Sequence, residues 1–360
     1  MNNKYEFIIN INSSTISLTG VFFNKKNFGR CFYKKYEHGG FIDAFFAEPE
    51  RLFIAVQQLV GACSNALNRE LSRVYVILPQ IFYKNKIITK SLPIKEGLVN
   101  RFDVNELMNL SKEEIDGCVH SECVPIAFKV ANGYVDNPID FLASTLTLIS
   151  SSIALTKRVQ EFFDDLGKRL NITFETMPLS KPLLNKIQES FNTQRSSRSI
   201  LNFNEDYIDV LYCEMRAMVA EKTVPISENI IKGALMEAYS IDEIQADELL
   251  GHIQLNVSQG TYLISGQELY QFDIVKTNNI VKDVFDKMVE KIKTALDELT
   301  DGVNMPIYLT GNKLVEIHGF DSYLESKLGA AVQVLHSDLL IWNQPEDYAL
   351  VGLIEMIINE

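Results

Sequence analysis

Two short polar turns, half a chain apart, hold the side chains best suited to chemistry. In the first, Asn12-Ser13-Ser14 separates the apolar run Phe7-Ile8-Ile9 from Thr15-Ile16. In the second, Asn204-Glu205-Asp206 separates Ile200-Leu201 and Phe203 from Tyr207-Ile208 and Val210. β-rich runs around three turn-forming residues are the pattern of a hairpin. Asn10 aligns with Asn202, and Asn12 with Asn204, at one constant offset, the mark of an internally duplicated fold. The hydroxyls of Ser13 and Thr15 suit a phosphate group, or serve the turn alone. The second turn carries two acids and no glycine. Asp209, just beyond it, reads either as the acid of a site or as a solvated strand residue.

Other reactive residue types are scattered. His38, His120, His252, His318 and His336 show no HExxH and no paired spacing, so each reads as an ordinary surface or core residue. Cys31, Cys63, Cys118, Cys123 and Cys213 form no CxxC, and read as reduced thiols of a cytoplasmic protein. There is no G-x-S-x-G. Lys25, Lys26, Arg30, Lys34 and Lys35 interleave with Phe28, Phe32 and Tyr33. That suits nucleic acid or anionic lipid, or an edge strand protected by lysines.

The elements that position the turns are those of an α/β chain. The first hairpin spans 5–23, with a third strand near Gly29–Tyr36. A helix is expected from Phe41 to Asn68, where Leu52, Val56, Leu59, Val60, Cys63 and Leu67 recur at helical spacing. The apolar strand Val74–Leu78 follows. Short strands at Lys86–Thr89 and Ala127–Val130, a helix near 103–116 and a turn at Ala131-Asn132-Gly133 read as a small inserted subdomain. Leu142–Thr147 reads as a strand, and Ser152–Leu170 as a helix capped by Ser151 or Ser152. A strand at Ile172–Thr176 and a helix at Lys181–Phe191 lead to the polar break Asn192–Ser199. The second hairpin at 200–215 restarts the pattern. It is followed by helices over 228–251, strands over 253–275 with turns at Gly260 and Gly266, and the amphipathic helix 276–299. The strand 306–309, the turn 310–313, a helix at 321–328, a strand at 332–335 and a closing helix at 347–358 complete the chain.

Composition bounds the reading. A chain of 360 residues with 46% hydrophobic content can bury a large core and is expected to form two domains. A net charge of −13 argues against general affinity for nucleic acid or anionic membrane. Lys4 and Glu6 interrupt any signal peptide, and the apolar stretch 141–155 is too short and too polar to span a bilayer.

The order of these turns resembles the actin-like superfamily, and within it FtsA, the bacterial cell-division actin homologue. The family's first phosphate hairpin, D-I-G-T-S-K-V, is similar to Asn10-Ile11-Asn12-Ser13-Ser14-Thr15-Ile16. Its second, D-I-G-G-G-T-T-D, is similar to Asn202-Phe203-Asn204-Glu205-Asp206-Tyr207-Ile208-Asp209. Its adenosine turn, L-T-G-G-G-A, is similar to Leu309-Thr310-Gly311-Asn312-Lys313-Leu314, with Gly319-Phe320 beyond. Val224-Pro225-Ile226 through Lys232, then Ala246-Asp247-Glu248-Leu249-Leu250, resemble the FtsA stretches V-P-I-G-G-x-x-I-T and A-E-x-L-K. Asp347 to Leu353 is similar to the final helix.

The resemblance implies an actin-like, ribonuclease H-like duplicated fold. Its first half would be 1–199 with an insert at about 81–176, and its second 200–360 with an insert at about 228–300. It implies a nucleotide site at Asn10, Asn12, Ser13, Asn202, Asn204, Asp206, Asp209, Gly311, Asn312 and Lys313. The departures argue that this site is vestigial. Asn10 and Asn202 stand where strand aspartates help hold the hydrated metal, and a neutral amide is a poor partner for a divalent ion. Asn12 tolerates a left-handed turn. Glu205 and Asp206 place negative charge where the triphosphate should lie, a repulsion of roughly 1 to 4 kcal/mol each at ~4 Å. Asn312 and Lys313 fill room that base or ribose needs. The expected protein is therefore a pseudo-ATPase scaffold with no catalytic residue, no metal and no cofactor. It would self-associate into protofilaments and dock a division partner such as FtsZ, reaching the cytoplasmic face of the inner membrane or the septum only through partners. An ATP/Mg-binding protein with an altered site, or a PilM-like platform subunit of a pilus or secretion machine, are the alternatives. The chain stops at Ile357-Ile358-Asn359-Glu360, so the amphipathic membrane helix of FtsA is not expected within it.

Overall fold

The computed structural model describes residues 4–24, 27–95, 97–131, 133–191, 197–226, 228–265 and 269–359. The chain divides into two compact units. Unit one comprises Met1–Ser196, Glu214–Ala220 and Ala349–Glu360, and unit two Ser197–Cys213 and Glu221–Tyr348.

The first elements are β1 (Lys4–Ile11), β2 (Thr15–Asn24), β3 (Asn27–Glu37), β4 (Phe41–Ile42), β5 (Phe45–Phe46), α1 (Pro49–Leu67) and β6 (Arg73–Leu78). Next come β7 (Tyr83–Pro93), α2 (Arg101–Leu110), β8 (Cys118–Val130), β9 (Gly133–Val135), β10 (Thr145–Thr156), α3 (Lys157–Leu170), β11 (Thr173–Pro178) and α4 (Ser180–Phe191). The chain continues through β12 (Ser197–Phe203), β13 (Ile208–Glu214), β14 (Ala217–Val224), α5 (Glu228–Tyr239) and α6 (Glu243–His252). It ends with β15 (Thr261–Ser265), β16 (Leu269–Asp273), α7 (Ile274–Thr300), β17 (Ile307–Gly311), α8 (Phe320–Leu328), β18 (Val332–Val334) and α9 (Tyr348–Asn359).

Duplication is visible in the strand orders. One sheet runs β11-β6-β1-β2-β3 and another β18-β17-β12-β13-β14. In both, a hairpin supplies the first two strands, a third strand takes one edge, and two later strands add in parallel on the other side. Residues 7–9 on β1 and 200–203 on β12 are unbroken buried runs, as expected of strands covered on both faces. Helix α1 buries Leu52, Ala55, Val56, Leu59 and Cys63 at helical spacing. The core of unit two joins Leu201, Val210, Ile231, Leu249, Phe285, Ile292, Leu309 and Phe320. Burying each such side chain is worth about 1.5–3 kcal/mol.

A separate sheet, β7-β10-β8-β9, packs with α2 around Ile94, Val99, Leu107, Phe128, Leu146 and Leu148. Asn100 caps α2 reciprocally with Asp103.

Three expectations need correction. The helix expected from Phe41 begins at Pro49. Asp43 and Ala44 take φ of 50° and 52° and reverse the chain into β4–β5, and Pro49 suits only a first helical turn. The helix expected from Ser152 begins at Lys157, so neither Ser151 nor Ser152 is its cap; both are buried in β10, which pairs with β7 and β8. The helix expected over 103–116 ends at Leu110. β3 is an edge strand, and Arg30 and Lys34 lie over the Tyr33 and Tyr36 rings, which fits edge protection. Lys25, Lys26, Asn132, residues 192–196 of the polar break, and Gly266 lie outside the described residues.

Candidate functional site

The two polar turns have one geometry. The Asn12 N–H donates to the Thr15 carbonyl at 2.8 Å, and the Asn204 N–H donates to the Tyr207 carbonyl at 2.9 Å. Each bond closes its hairpin at the same register.

In unit one, Asn10 lies opposite Ser17 on β2, and its Oδ1 is buried without a protein partner. Ser13 is buried in the turn. The Asn12 carbonyl is held at 2.8 Å by Nε2 of His38, itself buried. Nothing in the spacing of His38 pointed to this role, because its partner lies 26 residues away.

In unit two, Asp209 is buried, which corrects its reading as a solvated strand residue. Its Oδ2 accepts from Nδ2 of Asn202 at 3.1 Å and from Nδ2 of Asn204 at 3.0 Å. Burial pushes the carboxyl up to about 6, against the lowering effect of bonds from Asn202, Asn204 and Thr223. Burial, with Asp209 and Asp206 adding to it, also raises the Tyr207 phenol. Asp206 itself faces solvent, while the Glu205 carbonyl accepts from the Glu228 N–H at 3.0 Å.

β17 brings the third turn beside this hairpin. Gly311 pairs with Phe203 at a φ of 114°, and a Cβ there would stand 2.1 Å from the Phe203 carbonyl oxygen. Only glycine permits so close an approach. The Asn312 N–H donates to that carbonyl at 2.8 Å. Its Nδ2 donates to the Asn204 carbonyl at 2.9 Å, and its Oδ1 accepts from the Leu314 N–H at 3.0 Å.

Lys313 continues the network outward. Its Nζ donates to Asp247 Oδ2 at 2.9 Å; Lys232 Nζ lies 3.2 Å from Asp247 Oδ1 and 3.0 Å from Glu228 Oε1. Burial lowers the Lys232 ammonium, but Glu228 and Asp247 outweigh it and hold it above the ordinary lysine value. Burial likewise raises Asp247, and Lys313 and Lys232 outweigh it and hold the carboxyl below its ordinary value. Lys232 and Asp247 fell inside stretches that resembled a family pattern, but their pairing was not legible there.

Asn202, Asn204, Asp209, Gly311, Asn312 and Lys313 thus converge within unit two, and Asn10, Asn12 and Ser13 within unit one. Among the described residues, no group of three or more His, Cys, Asp or Glu is placed to hold a metal ion, and no helix is long and apolar enough to cross a membrane.

Two five-stranded sheets of one strand order, each opened by a matching hairpin, together with the solved structures the chain is similar to, give it an actin-like fold. Solved structures similar to the chain include a PilM–PilN type IV pilus biogenesis complex, with a TM-score of 0.64, 12% identity and 98% of each chain covered. MreB5 of Spiroplasma citri bound to ADP is similar at a TM-score of 0.56 and 10% identity, covering 99% of this chain and 98% of that one. The ethanolamine utilization protein EutJ from Carboxydothermus hydrogenoformans is similar at 0.55 and 12% identity, covering 98% and 89%. No protein-family model matches the chain, and no curated protein matches it in sequence.

Proposed function

We propose that this chain is an actin-like scaffold that works by docking and self-association and does not turn over nucleotide. One observation carries the reading: the polar groups of the nucleotide-type turns in unit two are committed to one another. Asn202 and Asn204 hold Asp209, Asn312 holds the Asn204 carbonyl, and Lys313 is drawn to Asp247. A nucleotide would have to break these bonds and approach Glu205, Asp206, Glu228 and Asp247. The residues present therefore do not fit Mg-ATP, and Asn10, Asn12, Ser13, Asn202, Asn204, Asp206, Asp209, Gly311, Asn312 and Lys313 are read as vestigial positions.

The scaffold takes one of two forms. In the FtsA-like form it self-associates and docks a division protein such as FtsZ, with the second-half insert over 228–300 as the docking surface. In the PilM-like form it is a platform for an assembly machine, a reading supported by the likeness to a PilM–PilN complex over 98% of each chain. In both, the protein reaches a membrane face through its partners.

Sedimentation velocity of the purified chain, with pull-down against FtsZ and against a PilN-type partner, tests the proposal. Concentration-dependent assembly or capture of one partner supports it. A chain that stays monomeric and captures neither contradicts it.

A further inference from the structure

We propose that residues 38–48 form a strap latched over the first polar turn of unit one by neutral His38, and that protonating His38 releases the strap. The latch is defined by hydrogen bonds on both sides of one ring. His38 Nε2 lies 2.8 Å from the Asn12 carbonyl, so it must carry hydrogen and donate. The Gly40 N–H donates to His38 Nδ1 at 3.1 Å, so Nδ1 must be bare. The His38 main-chain N–H adds a third tie, to the Ser14 carbonyl at 2.7 Å. Only the neutral ring with its proton on Nε2 meets both ring contacts. A second proton on Nδ1 would face the Gly40 N–H and abolish that bond, freeing the strap beyond Gly40 from the ring while Nε2–H keeps the Asn12 carbonyl.

What the latch holds is slight. β4 and β5 are two residues each, joined by the Asp43-Ala44 turn, and the Ala47 N–H closes the loop on the Gly40 carbonyl at 2.9 Å. So short a hairpin has no independent stability and draws it from its seat. That seat is aromatic. Phe41 and Phe46 meet Phe82 edge-on with centroids 4.9 Å and 5.0 Å away, and the His38 ring lies 5.3 Å from Phe41.

The surroundings set the direction of the switch. Burial pulls the His38 imidazole below its ordinary value, the Asn12 and Thr15 backbone oppose this, and the Arg51 guanidinium on α1 adds to the lowering. Arg51 is in turn 3.6 Å from Glu48 and 3.9 Å from Glu37, which soften its charge. Asp43 is the remaining charged residue within the strap. Because the closed state prefers neutral His38, opening takes up a proton. The strap is held above the ordinary histidine value and is lost as pH falls through the lowered one.

Amide hydrogen exchange of the full chain, expressed as protection factors at about pH 7.5 and pH 5, tests this, with ¹⁵N NMR of the His38 ring. In the wild type, protection at Gly40 and Ala47 should fall by up to about tenfold per pH unit as pH drops from about the ordinary histidine value of 6.5 toward the lowered value of the closed strap, and level off below it, while β6 amides keep theirs. His38→Gln, neutral at both pH values, should show no such dependence. Phe41→Ala, which leaves the latch residue in place, should lower strap protection at both. The proposal is overturned by any of four results: an Nδ1–H tautomer, pH-independent protection in the wild type, the same pH loss in His38→Gln, or β6 losing protection together with the strap.

Discussion

Asn202 decides what the second turn can be. Its amide nitrogen stands 3.1 Å from the buried Asp209 carboxylate, and Asn204 supplies a second donor to the same oxygen. A carboxylate at position 202 would turn that donor into a like charge. Asn202→Asp should therefore destabilise the chain by roughly 1 to 4 kcal/mol at neutral pH, and less in acid, read from urea denaturation midpoints. Asp209 also sets a pH dependence. Its folded carboxyl is raised to about 6 from 3.8, so the folded chain binds that proton more tightly than the unfolded chain does. This contribution to stability is full below about pH 4 and is lost as pH rises through 6. The size is on the order of 2–3 kcal/mol. The difference between wild type and Asp209→Asn, measured from pH 4 to 7, should show this slope. A difference that does not change with pH would remove Asp209 as its source. The sequence offered Asp209 as either a site acid or a solvated residue. What separated them was burial, set by strands that the local pattern does not place.

At the scale of elements, β12 and β17 explain why the third turn keeps its first glycine when other turn glycines are absent. Gly311 touches Phe203 across the strand pair, and no other residue fits its backbone or its space. Gly311→Ala should cost about 3 kcal/mol or more, seen as a large fall in the thermal midpoint; a change under about 1 kcal/mol would show that the two strands can part there. The hairpins, the helix spanning Leu52 to Leu67 and the strand at Val74–Leu78 were legible in the sequence, because periodicity and turn residues act locally. β10 was not. Its run Ser150-Ser151-Ser152 imitates a helix cap, and only pairing with β7 and β8 over most of its length makes it one continuous strand. The β4–β5 hairpin was also missed, since nothing in Phe41–Phe46 announces the left-handed backbone at Asp43 and Ala44. The Lys313–Asp247–Lys232–Glu228 chain of ion pairs joins residues from three separate helices or turns, and no spacing in the sequence encodes it beyond the one-turn pair Glu228 and Lys232.

For the whole molecule, the actin-like fold with its repeated strand order accounts for the duplicated hairpins, and the fold alone leaves open whether nucleotide binds. The MreB5 neighbour carries ADP on a similar fold, whereas the turns here carry amides and ion pairs of their own. In the scaffold we propose, these internal bonds take the place of the nucleotide. Isothermal titration of the purified chain with Mg-ATP measures it directly. No saturable heat is expected at nucleotide concentrations up to about 1 mM, and Asn202→Asp should not create any. A dissociation constant near 1 μM, about −8 kcal/mol of binding, would contradict it.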